Sequence, residues 1–279
     1  MSRRKRASLA AMRIGVFDSG LGGLTVVREL RSLYSTVDIL YLGDTARVPY
    51  GIRSDATIRQ YAHDCASFLH SQRIEALVIA CNTVSALALK ELQKEFNFPV
   101  FGVIEPGAAE AVRNSQGAPI GVLGTLATID SGAYARAVQE LAPALKLITC
   151  PAPLLVPLVE EGWTEGEVPR QIIRRYLEPL LEQGIGTLIL GCTHYPLLKE
   201  SFRRELISLG HEHVIIIDSG VALAQQLKTL IESHAATQES GCDRPGELTI
   251  FVTDAPRRFA VLAERFLNKA IGHVSIVKL

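Results

Sequence analysis

The sequence predicts an α/β protein of two pseudo-symmetric, parallel-sheet α/β domains, with the active site in the cleft between them. Two observations carry this prediction. Short apolar runs alternate with longer amphipathic segments along the chain, which is typical of parallel sheets covered by helices. A weak internal repeat divides this alternation into two halves, each with a cysteine at the end of one strand.

Ten short runs are continuous, apolar and rich in β-branched residues, as expected where both faces of a parallel strand are covered. Between them, apolar residues at helical spacing predict helices, for example over 84–96 and 196–209. The predicted strands cover residues 14–17, 38–42, 76–80, 99–104, 120–124, 145–149, 187–191, 214–217, 248–252 and 274–277.

The repeat consists of two pairs of similar motifs. Residues 14–19 resemble residues 120–125, and residues 77–83 resemble residues 188–194. The pairs are offset by 106 and 111 residues, so that the order and the spacing of the motifs repeat together. Chance is a poor explanation for a paired offset, and two related domains are therefore expected.

The length of 279 residues suits this division into two domains. We expect the chain to cross back after the second repeat and to complete the first domain. The predicted segments are a basic, disordered tail (1–12), a first domain with Cys81 (13–105 plus 218–279) and a second domain with Cys192 (106–217).

The composition excludes several classes of function. Apolar residues make up 48% of the chain and charged residues 21%, an ordinary balance for a globular protein. Basic and acidic residues number 29 each, so no net charge favours nucleic acid or an anionic membrane. No apolar run is long enough to span a bilayer. We expect a cytoplasmic protein without a nucleic-acid or membrane partner.

The five cysteines are scattered and form no C-x-x-C pair, which predicts reduced thiols and not a disulfide framework. Cys65, Cys150 and Cys242 are predicted to pack as small apolar residues. Cys81 and Cys192 differ, because each lies in the repeat at the carboxyl end of a strand and before a predicted helix. Ligands bind at such strand ends in open α/β sheets.

Two such thiols that face each other across a cleft can serve as an acid/base pair. The positive end of a helix dipole favours thiolate, so a modest decrease from the usual thiol pKa of about 8.5 is expected. One thiol would remove a proton from a substrate carbon while the other adds a proton to the opposite face. The product of that reaction is the mirror image of the substrate.

Polar residues near the predicted strand ends suit supporting roles at this site. The first strand ends in Asp18 and Ser19, and Thr125 is the equivalent of Ser19 in the second repeat. A loop after the second strand contains Asp44 and the pair Tyr50–Gly51. We expect Asp44 and Thr125 to be among the residues that bind the substrate. As an alternative, Asp18 caps a helix and Gly20, Gly22 and Gly23 form a tight turn.

Cofactor chemistry is not favoured by the motifs. Cys81, Cys192, His194 and Asp18 could converge on zinc, but structural zinc sites usually show close ligand pairs, and only Cys192 and His194 are close in sequence. Pyridoxal phosphate needs a lysine, and no strand-end motif contains one. The glycines do not form G-x-G-x-x-G. We therefore predict no metal and no cofactor.

The chain closely resembles the glutamate racemases of the aspartate/glutamate racemase superfamily. The resemblance spans about residues 13–218, is looser beyond 219, and leaves out the basic residues at the start. The matching segments, in the order of the family, are 14–23, 43–51, 80–86, 103–107, 121–125 and 191–197.

This resemblance implies cofactor-independent interconversion of L- and D-glutamate, which supplies D-glutamate to peptidoglycan synthesis. It implies catalytic thiols at Cys81 and Cys192, assisted by Asp18, His194 and Glu160. It also implies a homodimer as the expected assembly. The implied substrate contacts are Asp18–Ser19, Tyr50–Gly51, Asn82–Thr83 and Thr193–His194.

Two other hypotheses remain at this point. An aspartate racemase would share the chemistry and differ only in the pocket for the side chain. A two-domain protein that closes on an amino acid without reacting it would use the repeat and the helix ends, but would leave the paired cysteines unexplained.

Overall fold

The computed structural model describes residues 12–237, 244–267 and 269–279, in which the chain forms two parallel sheets. Cys242 and the predicted tail lie outside these residues, except for Met12, which is buried and therefore does not belong to a disordered tail. The strands are β1 (Arg13–Asp18), β2 (Asp38–Gly43), β3 (Ala76–Ile79), β4 (Val100–Gly102), β5 (Ile120–Gly124), β6 (Leu147–Pro151), β7 (Thr187–Gly191), β8 (Ile215–Asp218), β9 (Leu248–Val252) and β10 (Val274–Ile276).

The order of the strands explains the repeat. The first sheet has the order β10-β9-β2-β1-β3-β4 and the second has the order β6-β5-β7-β8. The four-strand order β2-β1-β3-β4 thus recurs in the second sheet, and the repeated motifs lie on the equivalent pairs β1/β5 and β3/β7. β9 and β10 extend the first sheet beyond β2, so the chain returns to this sheet after β8.

Helices separate the strands and cover the sheets. Within the described part of the chain, none of them combines the length and the apolar character needed to cross a lipid bilayer. Their bounds are α1 (Leu24–Leu33), α2 (Asp55–Ser71), α3 (Asn82–Leu87), α4 (Leu89–Glu95), α5 (Ile104–Asn114), α6 (Leu126–Asp130), α7 (Ala133–Leu141), α8 (Leu155–Glu160), α9 (Glu167–Leu181), α10 (Lys199–Ser208), α11 (Ser219–Gln226), α12 (Lys228–Thr237) and α13 (Pro256–Leu267), with 3₁₀ turns at Tyr50–Ile52 and Tyr195–Leu198.

Two predicted helices differ from the observed ones. The helix predicted over 84–96 is two helices, because the backbone of Ala88 (φ −120°, ψ −14°) interrupts it. Leu89 then packs against β4, where a Cβ on Gly102 would lie 2.6 Å from Leu89 Cδ2. The helix predicted over 196–209 begins as a 3₁₀ turn, and α10 starts only at Lys199.

A shared hydrophobic core joins the two sheets. It contains strand residues of the first sheet such as Val16 and Val78 together with Val122 and Ile189 of the second. A second core, around Cys65 and Ile79, lies on the other face of the first sheet. Each fully buried aliphatic side chain contributes about 1.5–3 kcal/mol of transfer free energy, so the shared core holds the sheets together.

The packing brings four strand ends to one place. Residues within two positions of the ends of β1, β3, β5 and β7 line a single cleft between the sheets, namely Ser19, Cys81, Thr125 and Cys192. This arrangement places the two repeats face to face, and it determines the position of the functional side chains.

Candidate active site

The cleft between the two sheets has a volume of ≈ 270 Å³. Its wall is mostly apolar, with Val48, Pro49, Val156 and Pro157 among the lining residues. Most of the polar residues that the sequence singles out meet here. Those that line the cleft are Ser19, Tyr50, Gly51, Cys81, Asn82, Thr83, Thr125, Glu160, Cys192, Thr193 and His194.

Cys81 precedes α3 directly, because α3 begins at Asn82 and not at the predicted residue 84, and its extended backbone (φ −63°, ψ 119°) places it at the N-cap position. Its thiol donates to Ser19 Oγ at 3.5 Å. Burial and then the negative charge of Asp18 raise the pKa of Cys81 to about 12, although hydrogen bonds with Ser19 and the Val84 N–H oppose the increase. The expected decrease in the pKa of Cys81 is therefore wrong.

Cys192 follows β7 directly but is not next to an α-helix. A turn and the 3₁₀ segment separate it from α10, and the turn is closed by the Tyr195 N–H donating to the Cys192 carbonyl at 3.1 Å. The expected helix dipole is thus absent at this thiol. A charged partner takes its place, because Cys192 Sγ lies 3.9 Å from His194 Nδ1.

His194 is buried between two groups that favour its charged form. Its Nε2 lies 3.2 Å from Glu160 Oε1. Burial disfavours the cation, but hydrogen bonds with Cys192 and Glu160, together with the charges of Cys192 and Asp18, outweigh burial and raise the pKa of His194 to about 10. The hydrogen bond to His194 in turn lowers the pKa of Glu160. His194 is therefore an imidazolium at neutral pH.

The two sulfurs consequently experience opposite electrostatic surroundings. Burial and the carboxylate of Asp18 raise the pKa of Cys81, whereas Cys192 lies beside the imidazolium of His194. Two thiols with charged neighbours of opposite sign thus share one cleft. This is the arrangement that general acid/base catalysis at a single carbon requires.

Asp18 lies next to the cleft, and its charge raises the pKa of Cys81. It is fully buried, does not line the cleft, and its carboxylate accepts from the Gly20 N–H at 2.9 Å and from Thr193 Oγ1 at 3.3 Å. In this structure Asp18 acts on Cys81 through its charge, and its contact with a substrate stays a prediction. The cap alternative is wrong, since α1 begins at Leu24 with Gly23 as its N-cap.

Asp44 does not line the cleft either, and this corrects the prediction that it binds the substrate. Its buried carboxylate accepts from Arg47 Nε at 2.5 Å, from Thr253 Oγ1 at 2.8 Å and from the Tyr50 hydroxyl. These three donors occupy its oxygens. Asp44 holds the loop that brings Tyr50 and Gly51 to the cleft, and sequence motifs alone cannot reveal this role.

Three threonine hydroxyls connect the two halves of the cleft. Thr83 Oγ1 lies 2.9 Å from Thr125 Oγ1 and 3.2 Å from Thr128 Oγ1, and Thr125 and Thr128 are 2.9 Å apart. Thr128 was not predicted from the sequence. The signal for it is its position three residues after the N-cap Thr125, where a second hydroxyl lies on the same side of the helix start.

The glycine turn after β1 lies directly on the Cys192 side of the cleft. A Cβ on Gly22 would be 2.0 Å from Thr193 Oγ1 and 2.6 Å from His194 Nδ1. The Thr25 hydroxyl also donates to the Thr193 carbonyl at 3.2 Å. Gly22 is therefore required for close approach of the two halves and not only for the turn.

The residues weighed for zinc do not form a metal-binding group. In residues 12–237, 244–267 and 269–279, no three His, Cys, Asp or Glu side chains are arranged to hold a metal ion.

Comparisons with known proteins agree with this geometry. The family model described as Asp/Glu/Hydantoin racemase matches residues 15–227. A protein of Aquifex aeolicus named glutamate racemase is 47% identical over 260 residues, which are 93% of this chain and 96% of the relative. The glutamate racemase of Francisella tularensis, solved in complex with D-glutamate, has a TM-score of 0.87 and 37% identity and covers 97% of this chain and 98% of its own. That of Thermus thermophilus, solved in complex with β-chloro-D-alanine, has a TM-score of 0.84 and 40% identity, covering 96% and 97%.

The two-sheet α/β fold is that of the solved amino-acid racemases to which the chain is similar. The chain belongs to the Asp/Glu/Hydantoin racemase family. The resemblance to glutamate racemases that its motifs carry is confirmed by relatives of 42–47% identity that extend over most of the chain.

We predict that Gly22→Ala lowers racemase turnover by about 100-fold, because the new methyl group displaces Thr193 and His194, and a displacement of about 1 Å in an active site can cost that much. Initial rates of racemisation measure the effect. Gly272→Ala is the control, since a Cβ there meets only open space. Turnover of Gly22→Ala within twofold of the wild type would contradict the prediction.

We predict that Glu160→Gln lowers the pKa of His194 from about 10, because a hydrogen-bonded carboxylate is lost. The folded pKa exceeds the unfolded value of about 6.5. The stabilisation from this cation is therefore complete below about pH 6.5 and is lost as the pH rises through about 10. NMR titration of the His194 ring measures the shift.

The control for this titration is Glu161→Gln, which removes an exposed carboxylate whose partner is Arg258 at 3.8 Å. It should leave the His194 titration unchanged. Identical titration curves for His194 in the wild type and in Glu160→Gln would show that Glu160 does not hold the charge.

Proposed function

We propose that the protein interconverts L- and D-glutamate without a cofactor, with Cys81 and Cys192 as its two acid/base groups. One observation carries this proposal: two thiols at equivalent strand ends line one cleft and have neighbours of opposite charge. The relatives named glutamate racemase support glutamate over aspartate as the substrate.

The reaction starts from the protonation state that the charges favour. The Cys192 thiolate removes the α-proton, and the electron pair of the broken C–H bond remains on Cα and spreads into the α-carboxylate. Cys81 then gives its proton to the opposite face of Cα, and the pair of its S–H bond remains on sulfur. Configuration is inverted, one proton has moved from Cys81 to Cys192, and nothing is oxidised or reduced.

The neighbouring charges support both directions. His194, held by Glu160, stabilises the Cys192 thiolate for the direction just described. In the reverse direction Cys81 is the base, and the carboxylate of Asp18 makes its thiolate more basic. We propose Cys81, Cys192, Asp18, His194 and Glu160 as the catalytic set, of which Asp18 acts through Cys81.

Neutral donors are proposed to hold the two carboxylates of glutamate. Neither lysine nor arginine is among the described residues that line the cleft, and the charges of His194 and Glu160 compensate each other. The N–H groups in the first turn of α3 have no partner within the helix and can bind the negative charge that develops on the α-carboxylate. The proposed contacts are Ser19, Tyr50, Gly51, Asn82, Thr83, Thr125, Thr193 and His194.

The wider context extends this proposal. Production of D-glutamate in the cytoplasm for peptidoglycan synthesis is the role that the family resemblance supports. We also propose that residues 13–105 and 218–279 form one lobe and that residues 106–217 form the other. The protein is proposed to be a homodimer in solution. Sedimentation velocity tests the dimer, and a monomer at assay concentration would reject that part alone.

We predict that the protein in D₂O forms D-glutamate from L-glutamate without added cofactor and that the product carries deuterium at Cα, because the second thiol delivers a solvent-derived deuteron. Chiral chromatography and proton NMR measure both. Tight binding of glutamate without isotope exchange would favour the binding-protein hypothesis instead. Faster exchange of aspartate than of glutamate would indicate an aspartate racemase.

Cys81→Ser and Cys192→Ser should each reduce racemisation by more than 100-fold, because an alcohol is a far weaker acid than a thiol, so it neither donates its proton as readily nor forms the anion that acts as the base. Cys150→Ser is the matched control, since this half-buried thiol in β6 lies outside the cleft. Wild-type turnover in either of the first two variants would reject the two-thiol mechanism.

A further inference from the structure

A buried tyrosine connects the cleft to the place where the chain leaves the second sheet. The Tyr134 hydroxyl, on α7, accepts from Asn82 Nδ2 at 2.9 Å and lies 2.9 Å from Ser219 Oγ at the start of α11. All three side chains are buried. Asn82 follows Cys81 directly and lines the cleft, whereas Tyr134 does not line it.

Only one of these two bonds has a fixed direction. Asn82 Nδ2 donates to the Tyr134 hydroxyl, whereas either oxygen can be the donor between Tyr134 and Ser219. Burial raises the pKa of Tyr134, so the hydroxyl remains protonated. The nitrogen of the Asn82 amide therefore faces Tyr134, and its oxygen occupies the other branch of the planar amide.

The oxygen of this amide is available to a ligand. Among the described residues, no protein donor reaches Asn82 Oδ1, and this atom is not among the buried polar atoms that lack a partner. Because Asn82 lines the cleft, an acceptor is presented there. The only strong hydrogen-bond donor that glutamate carries at neutral pH is its α-ammonium group.

We propose that Tyr134 is a positioning residue that orients the Asn82 amide so that Oδ1 accepts from the α-ammonium of the substrate. This proposal rests on the proposed function. Tyr134 acts through Asn82 and does not touch the substrate. Without its hydroxyl, the two orientations of the amide become similar in energy, and one of them presents an N–H group to the ammonium.

Ser219 holds the tyrosine from behind. A Cβ on Gly107 of α5 would lie 2.5 Å from Ser219 Oγ, so that this hydroxyl is enclosed between α5 and α7. Tyr134, on α7 of the proposed second lobe, is thus held through Ser219 of α11 and Asn82 of α3, which both belong to the proposed first lobe.

A double-mutant cycle tests the proposal. Tyr134→Phe should raise KM for both enantiomers of glutamate about 3- to 10-fold, the loss expected for one neutral hydrogen bond, and change kcat less than twofold. In the Asn82→Ala background, the same change should alter KM less than twofold. An equal increase in KM in both backgrounds would overturn the proposal, because Tyr134 would then act independently of Asn82.

Tyr34→Phe is the matched control for general loss of a tyrosine hydroxyl. Its hydroxyl donates to the Ala224 carbonyl at 2.9 Å and lies outside the cleft. It should lower the free energy of unfolding without a change in KM. If Tyr134→Phe behaves in the same way, the tyrosine is structural only, and the proposal is overturned.

A measurement without turnover separates this proposal from the proposed function. The side-chain amide signal of Asn82 in ¹⁵N NMR, identified by its absence in Asn82→Ala, should shift in Tyr134→Phe and stay in place in Tyr34→Phe. An unchanged signal in Tyr134→Phe overturns the positioning role. If the Asn82 signal shifts in Tyr134→Phe but the wild-type protein does not racemise glutamate, the proposed function is rejected and the oriented amide is retained.

Discussion

Close contact between the turn after β1 and the turn after β7 is the constraint on which the site depends. Gly22 lies against Thr193 and His194 with no room for a methyl group, and Asp18 accepts from the Thr193 hydroxyl across the same boundary. Since each turn is anchored to its own sheet, this contact sets the distance between the carboxyl ends of the sheets. The width of the cleft and the reach of Asp18 both follow from it.

The two halves of the repeat differ at positions next to the two cysteines. In the repeat, the position of Asp18 in the first half corresponds to Gly124 in the second, and Thr83 corresponds to His194. The first half therefore places a carboxylate near its cysteine, and the second places an imidazolium beside its own. Two exchanges in a common framework are enough to surround two equivalent thiols with charges of opposite sign.

The sequence was informative where local pattern decides the outcome. All ten strands lie within a few residues of their predicted places, because continuous β-branched runs have few alternatives in an α/β chain. It was less informative where burial and long-range contacts decide. The break at Ala88 depends on how Leu89 packs against β4, and the increase in the pKa of Cys81 depends on burial beside Asp18. Three donors, one of them Thr253, occupy the carboxylate of Asp44. These contacts cannot be recognised from spacing, which by itself predicts a substrate contact for Asp44.

The unequal surroundings of the two thiols imply that the free protein differs before and after a turnover. In the proposed mechanism, one conversion leaves the proton on Cys192 and the negative charge on Cys81, next to the buried carboxylate of Asp18. The protein must then exchange protons with water before it can repeat the same conversion, whereas the opposite enantiomer needs the protonation form that is already present.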